Sequence, residues 1–394
     1  MPAGSSAAGF GLFQHGGRGA GQAGAMVARA DDPSALSMNP AGLAGQIADG
    51  VRFRVQAGID FTAPRDDFRD GFGVEYSAKH QINPPPALYV LWTPGGSERL
   101  TLGVGLDSPF WTNNEWLPAL FPLRNVNFRT QILLFELHPA AAWDLGSGWS
   151  VGGGVRYVFG SMDLGRDLIS TVTSSQEADA SVDGVGFDLG LRRAADRFGF
   201  GATVRSAVEV SGSASNSGPT PGPDSLSFEL PTEVRFGAWR GLGARVKVEV
   251  DVAWQLWSSV DNQVPILPVL CAPRCQTLPR DWDDTFSIRS GVEVAMSERL
   301  AVYGGLALEP SPVTHDSLEP GFPRGDARVF AAGVGYEIPS ARIRFDLGYS
   351  LHQHDDVLYR PDFGPVPGLP FPVPVNGTFS GREQVFSFSI RRDL

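Results

Sequence analysis

The chain has 394 residues, and its 32 Lys and Arg stand against 43 Asp and Glu for a net charge of −11, which leaves no basic face for nucleic acid. It carries 48 Gly and 31 Pro and is therefore rich in turns, yet no run approaches the roughly 18 apolar residues that a membrane helix needs. A helical membrane protein is excluded; a transmembrane β-barrel, whose lipid-facing residues alternate with luminal polar ones, is not.

Residues 1–50 read as Gly- and Ala-rich coil with weak helical character, too apolar for a free tail. The start, Met1 to Phe10, has neither a basic nor an apolar signal region, so no intact signal peptide is expected. Gly19-Ala20-Gly21-Gln22-Ala23-Gly24 fits G-x-G-x-x-G, but no strand precedes it. Its glycines are expected to serve close packing in a hatch, or plug, over 1–50, held inside a barrel over 51–394. Asp31 and Asp32 are expected to cap or to pair with luminal arginines.

From Val51 onward, period-two alternation recurs, most clearly from Arg245 to Leu256, where every second residue is apolar. A strand sorts residues onto two faces in this way; a helix scatters them. About 14 such segments run from 51–61 to 380–392. Short connections such as Leu145–Gly148 alternate with long ones such as 62–85, 108–127 and 259–281. That alternation belongs to an all-β transmembrane antiparallel β-barrel with short periplasmic turns and long extracellular loops. Val246, Val248, Val250, Val252 and Trp254 should face lipid, and Glu249, on the other face, should tolerate a change of charge.

Several short stretches occur in one order along the chain. They are Ala8-Gly9-Phe10, Asn39-Pro40-Ala41, Glu136-Leu137-His138-Pro139, Arg197 to Ser206, Leu230-Pro231, Trp257-Ser258, Trp282-Asp283-Asp284 and Ser311-Pro312-Val313. In that order the chain resembles, nearly end to end, the FadL-type long-chain fatty-acid and hydrocarbon transporters of Gram-negative outer membranes. The resemblance implies a monomer in the outer membrane that passively takes up a hydrophobic small molecule, a long-chain fatty acid first. Monoaromatic or alkane hydrocarbons, or a non-transporting envelope or adhesion barrel, are the alternatives. It further implies a hatch that moves around Asn39, Pro40 and Ala41, and an inward kink in the third strand, with which Gly103, Gly105 and Pro109 are compatible. Outer-membrane lipid, lipopolysaccharide and the outer-membrane assembly machinery are the implied partners. That machinery reads a C-terminal aromatic residue in this family, where this chain ends at Leu394.

The long loops carry an anomaly. Phe110, Trp111, Trp116, Leu117, Leu120 and Phe121 fall in one of them, and further apolar runs span 264–270 and 363–375. Loops of a plain porin should be polar, so these are expected to form a capture groove, with loop-on-loop packing as the bland alternative. For a ligand carboxylate, luminal Arg156, Arg205 and Arg289 and loop-edge Arg166 are candidates, unless acids such as Glu209, Glu293 and Asp346 already pair with them. Cys271 and Cys275 are expected to form a local disulfide, since two thiols do not complete a metal site. His352 and His354 are expected to be solvated loop residues. The six histidines are scattered and no G-x-S-x-G elbow is present, so neither an enzyme nor a metal or other cofactor is expected.

Overall fold

The computed structural model describes residues 15–47, 51–95, 97, 99–116, 128–168, 174–218, 222–259, 263–264, 278–279, 281–314, 317–360 and 376–394. Among these, fourteen antiparallel strands close into a barrel. They are β1 (Phe53–Asp70), β2 (Pro86–Trp92), β3 (Leu100–Glu115), β4 (Arg129–Gly146), β5 (Trp149–Leu168), β6 (Ser174–Ala194) and β7 (Phe198–Arg205, continued by Val208–Ser217). There follow β8 (Ser225–Leu230, continued by Glu233–Leu242), β9 (Val246–Gln255), β10 (Thr285–Ala295), β11 (Leu300–Glu309), β12 (Ala327–Ile338), β13 (Ile343–His354) and β14 (Gly377–Asp393). Each strand pairs with its successor, and β1 closes the sheet against β14 from Arg54 opposite Asp393 to Asp70 opposite Gly377. Closure leaves no edge to satisfy in lipid. No helix among the described residues is long and apolar enough to cross a membrane.

Short turns join the strands at one end and long connections at the other, the extracellular end in barrels of this kind. In the turn Gly146-Ser147-Gly148 all three residues have positive φ. A side chain at Gly148 would meet the carbonyl of Ala194 at 2.1 Å, so this position is reserved for glycine. The strands run further outward than the alternation alone indicates: β3 reaches Glu115, so Phe110 and Trp111, expected in a loop, belong to the wall.

The outward faces are apolar, with Phe236, Trp254, Leu306 and Phe386 each about half exposed, as lipid contact requires. Val250 lies on this face between Ala238 of β8 and Ser290 of β10. Val250→Arg is expected to cost roughly 2–4 kcal/mol of folding free energy near the bilayer midplane, measured by reversible unfolding from lipid vesicles, because a guanidinium there loses its water.

Residues 15–47 fill the short-turn half of the lumen and are almost all buried. They form α1 (Gly16–Gly21), α2 (Ala35–Met38) and a 3-10 turn (Pro40–Leu43). At α1 the backbones of segment and wall touch: a side chain on Gly348 would lie 2.3 Å from the Gly17 carbonyl. Charge does the rest. Glu249 accepts the backbone N–H of Ala28 at 2.6 Å and of Arg29 at 3.1 Å, and pairs with the Arg29 guanidinium at 2.9 Å. Asp251 accepts the N–H of Val27 at 2.9 Å. The expectation that Glu249 tolerates a change of charge therefore fails, because this face meets protein rather than water.

Asp31 and Asp32 both pair with Arg18 of the same segment, at 2.6 and 3.0 Å, and not with an arginine of the wall. Glu293 of β10 joins them at 2.9 Å. Burial alone would raise the Asp31 carboxyl, but Arg18 and then Arg29 hold it well below the usual carboxylate range.

Candidate functional site

Read from the long-loop end, the inward residues of β4 change character in three steps. Thr130, Ile132 and Leu134 come first, then Glu136 and His138, then Ala140 and Ala142, all buried. Neighbouring strands repeat the order, so the lumen is layered. The upper layer is an apolar chamber filled by its own packed side chains, among them Ile132, Leu134, Val158, Val182 and Phe228. The lower layer packs Leu36 and Leu43 of the inner segment on Tyr89, Leu91 and Ala142. A belt of charge separates them.

In that belt Glu136, fully buried, accepts from Arg156 Nε at 2.9 Å and from Arg205 Nη2 at 2.5 Å. Arg235 pairs with Glu233 beside it. His138 lies 3.1 Å from Asp188 through Nε2 and 3.8 Å from Glu136 through Nδ1. Asp107 accepts from Tyr89 at 2.9 Å and from Ser37 of the inner segment. Arg205 and Arg235 also point guanidinium N–H groups at the Ser37 carbonyl, at 3.3 and 3.4 Å. The belt thus touches the chamber above and the inner segment below.

Where belt and chamber meet, Phe110, Leu230 and Trp257 join Arg156, Arg205 and Arg235 around a cavity of about 50 Å³. Such a volume suits one or two waters, each with a share of about 30 Å³. Any larger molecule would need one of the aromatic walls to move.

Phe110 reaches this place through a break in β3. Asp107 stands opposite Glu136 and Phe110 opposite Leu134, so β3 carries one extra residue across Ser108-Pro109. Odd residues point inward before the bulge and even ones after it. Phe110 therefore turns into the lumen against Phe228, 4.9 Å away, while Trp111 turns outward against Phe135. Pro109, lacking an N–H, suits the break. Gly103 and Gly105 lie below the bulge, where side chains would crowd Leu91 and Tyr89 at 2.9 Å, so these glycines admit close packing. Only Leu102–Leu106 of β3 pair with β2, over Leu88–Trp92. Beyond them, among the described residues, the stretch before β2 replaces the ladder, with Lys79 N–H donating to Glu115 O at 2.7 Å.

Asn39 ties the inner segment together: its amide donates to the carbonyls of Val27 at 3.0 Å and Leu191 at 3.2 Å, and its oxygen accepts from Ala41. The Asn39-Pro40-Ala41 turn sits on Gly152 and Gly190, and Ser150 donates to the Ala41 carbonyl at 2.8 Å.

Trp116 is buried, edge-on to Phe379 at 5.7 Å, and donates to the Pro320 carbonyl at 2.9 Å. Pro320 belongs to the connection between β11 and β12, which folds inward over the chamber with Phe322 against Trp282. Arg324 fastens it to Asp66 at 2.8 and 3.0 Å and to Glu383 at 2.8 Å. Trp116→Ala is therefore expected to lower stability by about 3–5 kcal/mol, read by urea unfolding, as a large core aromatic is removed.

Arg289 pairs with Glu309 of β11 at 2.9 Å. Glu209, expected in the lumen, faces outward. Arg166 lies in β5, though its side chain is outside what is described. Leu117, Leu120, Phe121, Cys271 and Cys275 lie outside the described residues, as do most of 264–270 and all of 363–375. His352 is not a solvated loop residue but stands in β13, 3.1 Å from Ser350 and 3.6 Å from Glu309, and His354 bonds the Gly325 carbonyl at 3.0 Å. No cluster of three metal-ligating side chains occurs among the described residues. Asp188 and Arg235 carry no motif in the sequence, and Glu136 and His138 stand out there only as part of a family-like stretch, with no role attached. Their signal was the strand alternation itself, which puts each on the inward face.

The family described as "Outer membrane protein transport protein (OMPP1/FadL/TodX)" matches residues 3–388. A Pseudomonas aeruginosa FadL homologue superposes with a TM-score of 0.79 at 18% identity, over 98% of this chain and 100% of that one. The toluene transporter TodX of Pseudomonas putida gives 0.72 at 16%, over 97% and 99%. The Ralstonia pickettii toluene transporter TbuX gives 0.70 at 16%, again over 97% and 99%. At these identities the likeness is one of fold. No curated protein sequence matches the chain.

Proposed function

We infer the function from one premise: this chain belongs to the outer membrane protein transport family OMPP1/FadL/TodX, whose members are outer-membrane carriers of hydrophobic compounds. We propose that it takes up long-chain fatty acids by passive flow. The observation that carries this reading is the cavity where Arg156, Arg205 and Arg235 face an apolar chamber. A fatty acid would leave its tail among Phe110, Phe228 and Leu230, gaining roughly 25 cal/mol per Å² of apolar surface buried, and set its carboxylate on the guanidinium groups. Arg166 and Arg289 have no place in this step.

In the proposed route the apolar residues that follow Trp116 in the chain, Leu117, Leu120 and Phe121, capture the ligand, with Phe110 as the inner gate. Residues 1–50 act as a hatch to the barrel of 51–394, and the Asn39-Pro40-Ala41 turn holds the hatch shut. Release runs sideways through the wall beside Ser108-Pro109, where the β2–β3 ladder stops. Such a route needs neither cofactor nor energy source.

A second reading, uptake of neutral monoaromatic or alkane compounds, draws support from Glu136, which already occupies both Arg156 and Arg205 as their shared ion-pair partner. Equilibrium binding of radiolabelled palmitate and toluene to the detergent-solubilised barrel separates the two. The fatty-acid reading expects palmitate to bind, and Arg156→Gln with Arg205→Gln to weaken it about tenfold or more while sparing toluene. Saturable toluene binding that palmitate does not displace would overturn it.

A further inference from the structure

The geometry points to a binding site for the phosphate of an outer-leaflet glycolipid on the outer wall of the barrel, at Arg65 of β1 and Arg382 of β14. The site is independent of what the lumen carries. Its first observation is one of register. Arg328 of β12 stands opposite Gln353 of β13, Gln353 opposite Arg382, and Arg382 opposite Arg65. All four side chains face outward, so three arginines and a glutamine form one row across four strands.

Height is the second observation. Below the row the outward residues turn apolar except at Gln384, through Phe330, Leu351 and Ala63, then Tyr349, Phe386 and Phe61. The next charge down β14 on that face is Arg392, opposite Val55, ten residues along β1 from Arg65. Ten residues at about 3.3 Å each, tilted by about 40°, rise about 25 Å, the height of the apolar band of such barrels. Arg65 and Arg382 therefore stand where the outer hydrocarbon ends and the headgroups begin. At that level the surface in contact with the wall is lipid.

The third observation is electrostatic. Arg328 is held by Asp355 at 2.9 Å, but neither Arg65 nor Arg382 has an ion-pair partner among the described residues. Like charges directly opposite across a ladder repel and cost stability unless an anion bridges them. A phosphate monoester, dianionic and matched to the guanidinium fork, is such a bridge. The pair opens on a hollow of about 770 Å³, whose lining includes Asp67, Ser77, His80 and Gln353 as well as Leu351. Of the carboxylates that also line the hollow, Asp67 is occupied by the Ser77 hydroxyl and Asp66 by Arg324, with Asp356 the third, so the two arginines are the groups on which an anion seats. An acyl chain would continue down over Leu351 onto the apolar band. A sugar phosphate with acyl chains, the lipid A part of lipopolysaccharide, satisfies all three constraints; a free anion satisfies only the last.

The test uses the full chain in detergent, diphosphoryl lipid A as the probe, and native mass spectrometry as the readout. Arg65→Gln with Arg382→Gln should reduce bound lipid A about tenfold or more. Arg382→Glu should do the same while raising the unfolding midpoint, because it turns a repulsive pair into an attractive one with Arg65. A merely structural role cannot give that combination. Lipid A retained at the parent level by Arg382→Glu overturns the proposal. So does displacement of lipid A by millimolar inorganic phosphate alone, which would make the pair a simple anion site.

Discussion

Glu136→Gln is expected to weaken the barrel and tighten its hold on fatty acid at once. Glu136 is fully buried and is the shared acceptor of Arg156 and Arg205. Removing its charge leaves two guanidinium groups without their carboxylate in a buried site. Breaking a buried pair from one side costs about 3–5 kcal/mol, and urea unfolding followed by the gel shift of the folded barrel should show it. The same change removes the group with which a ligand carboxylate must compete. Palmitate affinity should therefore rise, by about tenfold for each 1.4 kcal/mol of released competition, while toluene affinity stays level. Loss of stability with no gain for palmitate would mean that the two arginines serve the belt and not the ligand.

The second large effect is expected at Glu249, where one carboxylate holds two backbone N–H groups and a guanidinium of the inner segment. Glu249→Ala leaves all three donors without their acceptor in a buried site, again about 3–5 kcal/mol, charged to the docking of residues 15–47 rather than to the strands. Those residues fill the short-turn half of the lumen. Undocking should open it, so planar-bilayer recordings of the variant should show conductance steps absent from the parent. Val250→Arg, one residue away on the lipid face, should destabilise without opening the lumen. Equal conductance in Glu249→Ala and parent would place the hold on the segment elsewhere, with Asp251, Glu293 and Asn39 the next contacts to remove.

How far the sequence could be read depends on which physical signal each feature leaves. The strands were legible because lipid on one side and lumen on the other impose a period of two, and the alternation of short and long connections then set barrel and direction. Phe110 and Trp111 went astray for a local reason: a one-residue bulge at Ser108-Pro109 reverses the phase, and the strand continues to Glu115. The tolerance expected of Glu249 fails because alternation says which way a side chain points but not what fills the space it points into. Arg156 and Arg205 were legible as luminal arginines. Their partner Glu136 stands twenty residues or more away in sequence, a pairing fixed only by strand register. The cap that Arg324 fastens left no pattern at all, since its contacts run to Asp66 and Glu383 at the barrel seam.

The decisive measurement is a crystal structure of the full chain soaked with a long-chain fatty acid brominated at the end of its tail, phased on the bromine anomalous signal. An acyl chain in the apolar chamber gives a bromine peak among Leu134, Phe228 and their neighbours. Phe110 or Trp257 should be displaced to make room, and the carboxylate should lie within hydrogen-bond distance of Arg156, Arg205 or Arg235. Bromine found only on the outer wall or between outer loops, with the chamber closed and Glu136 still holding both arginines, would contradict a luminal site for fatty acid.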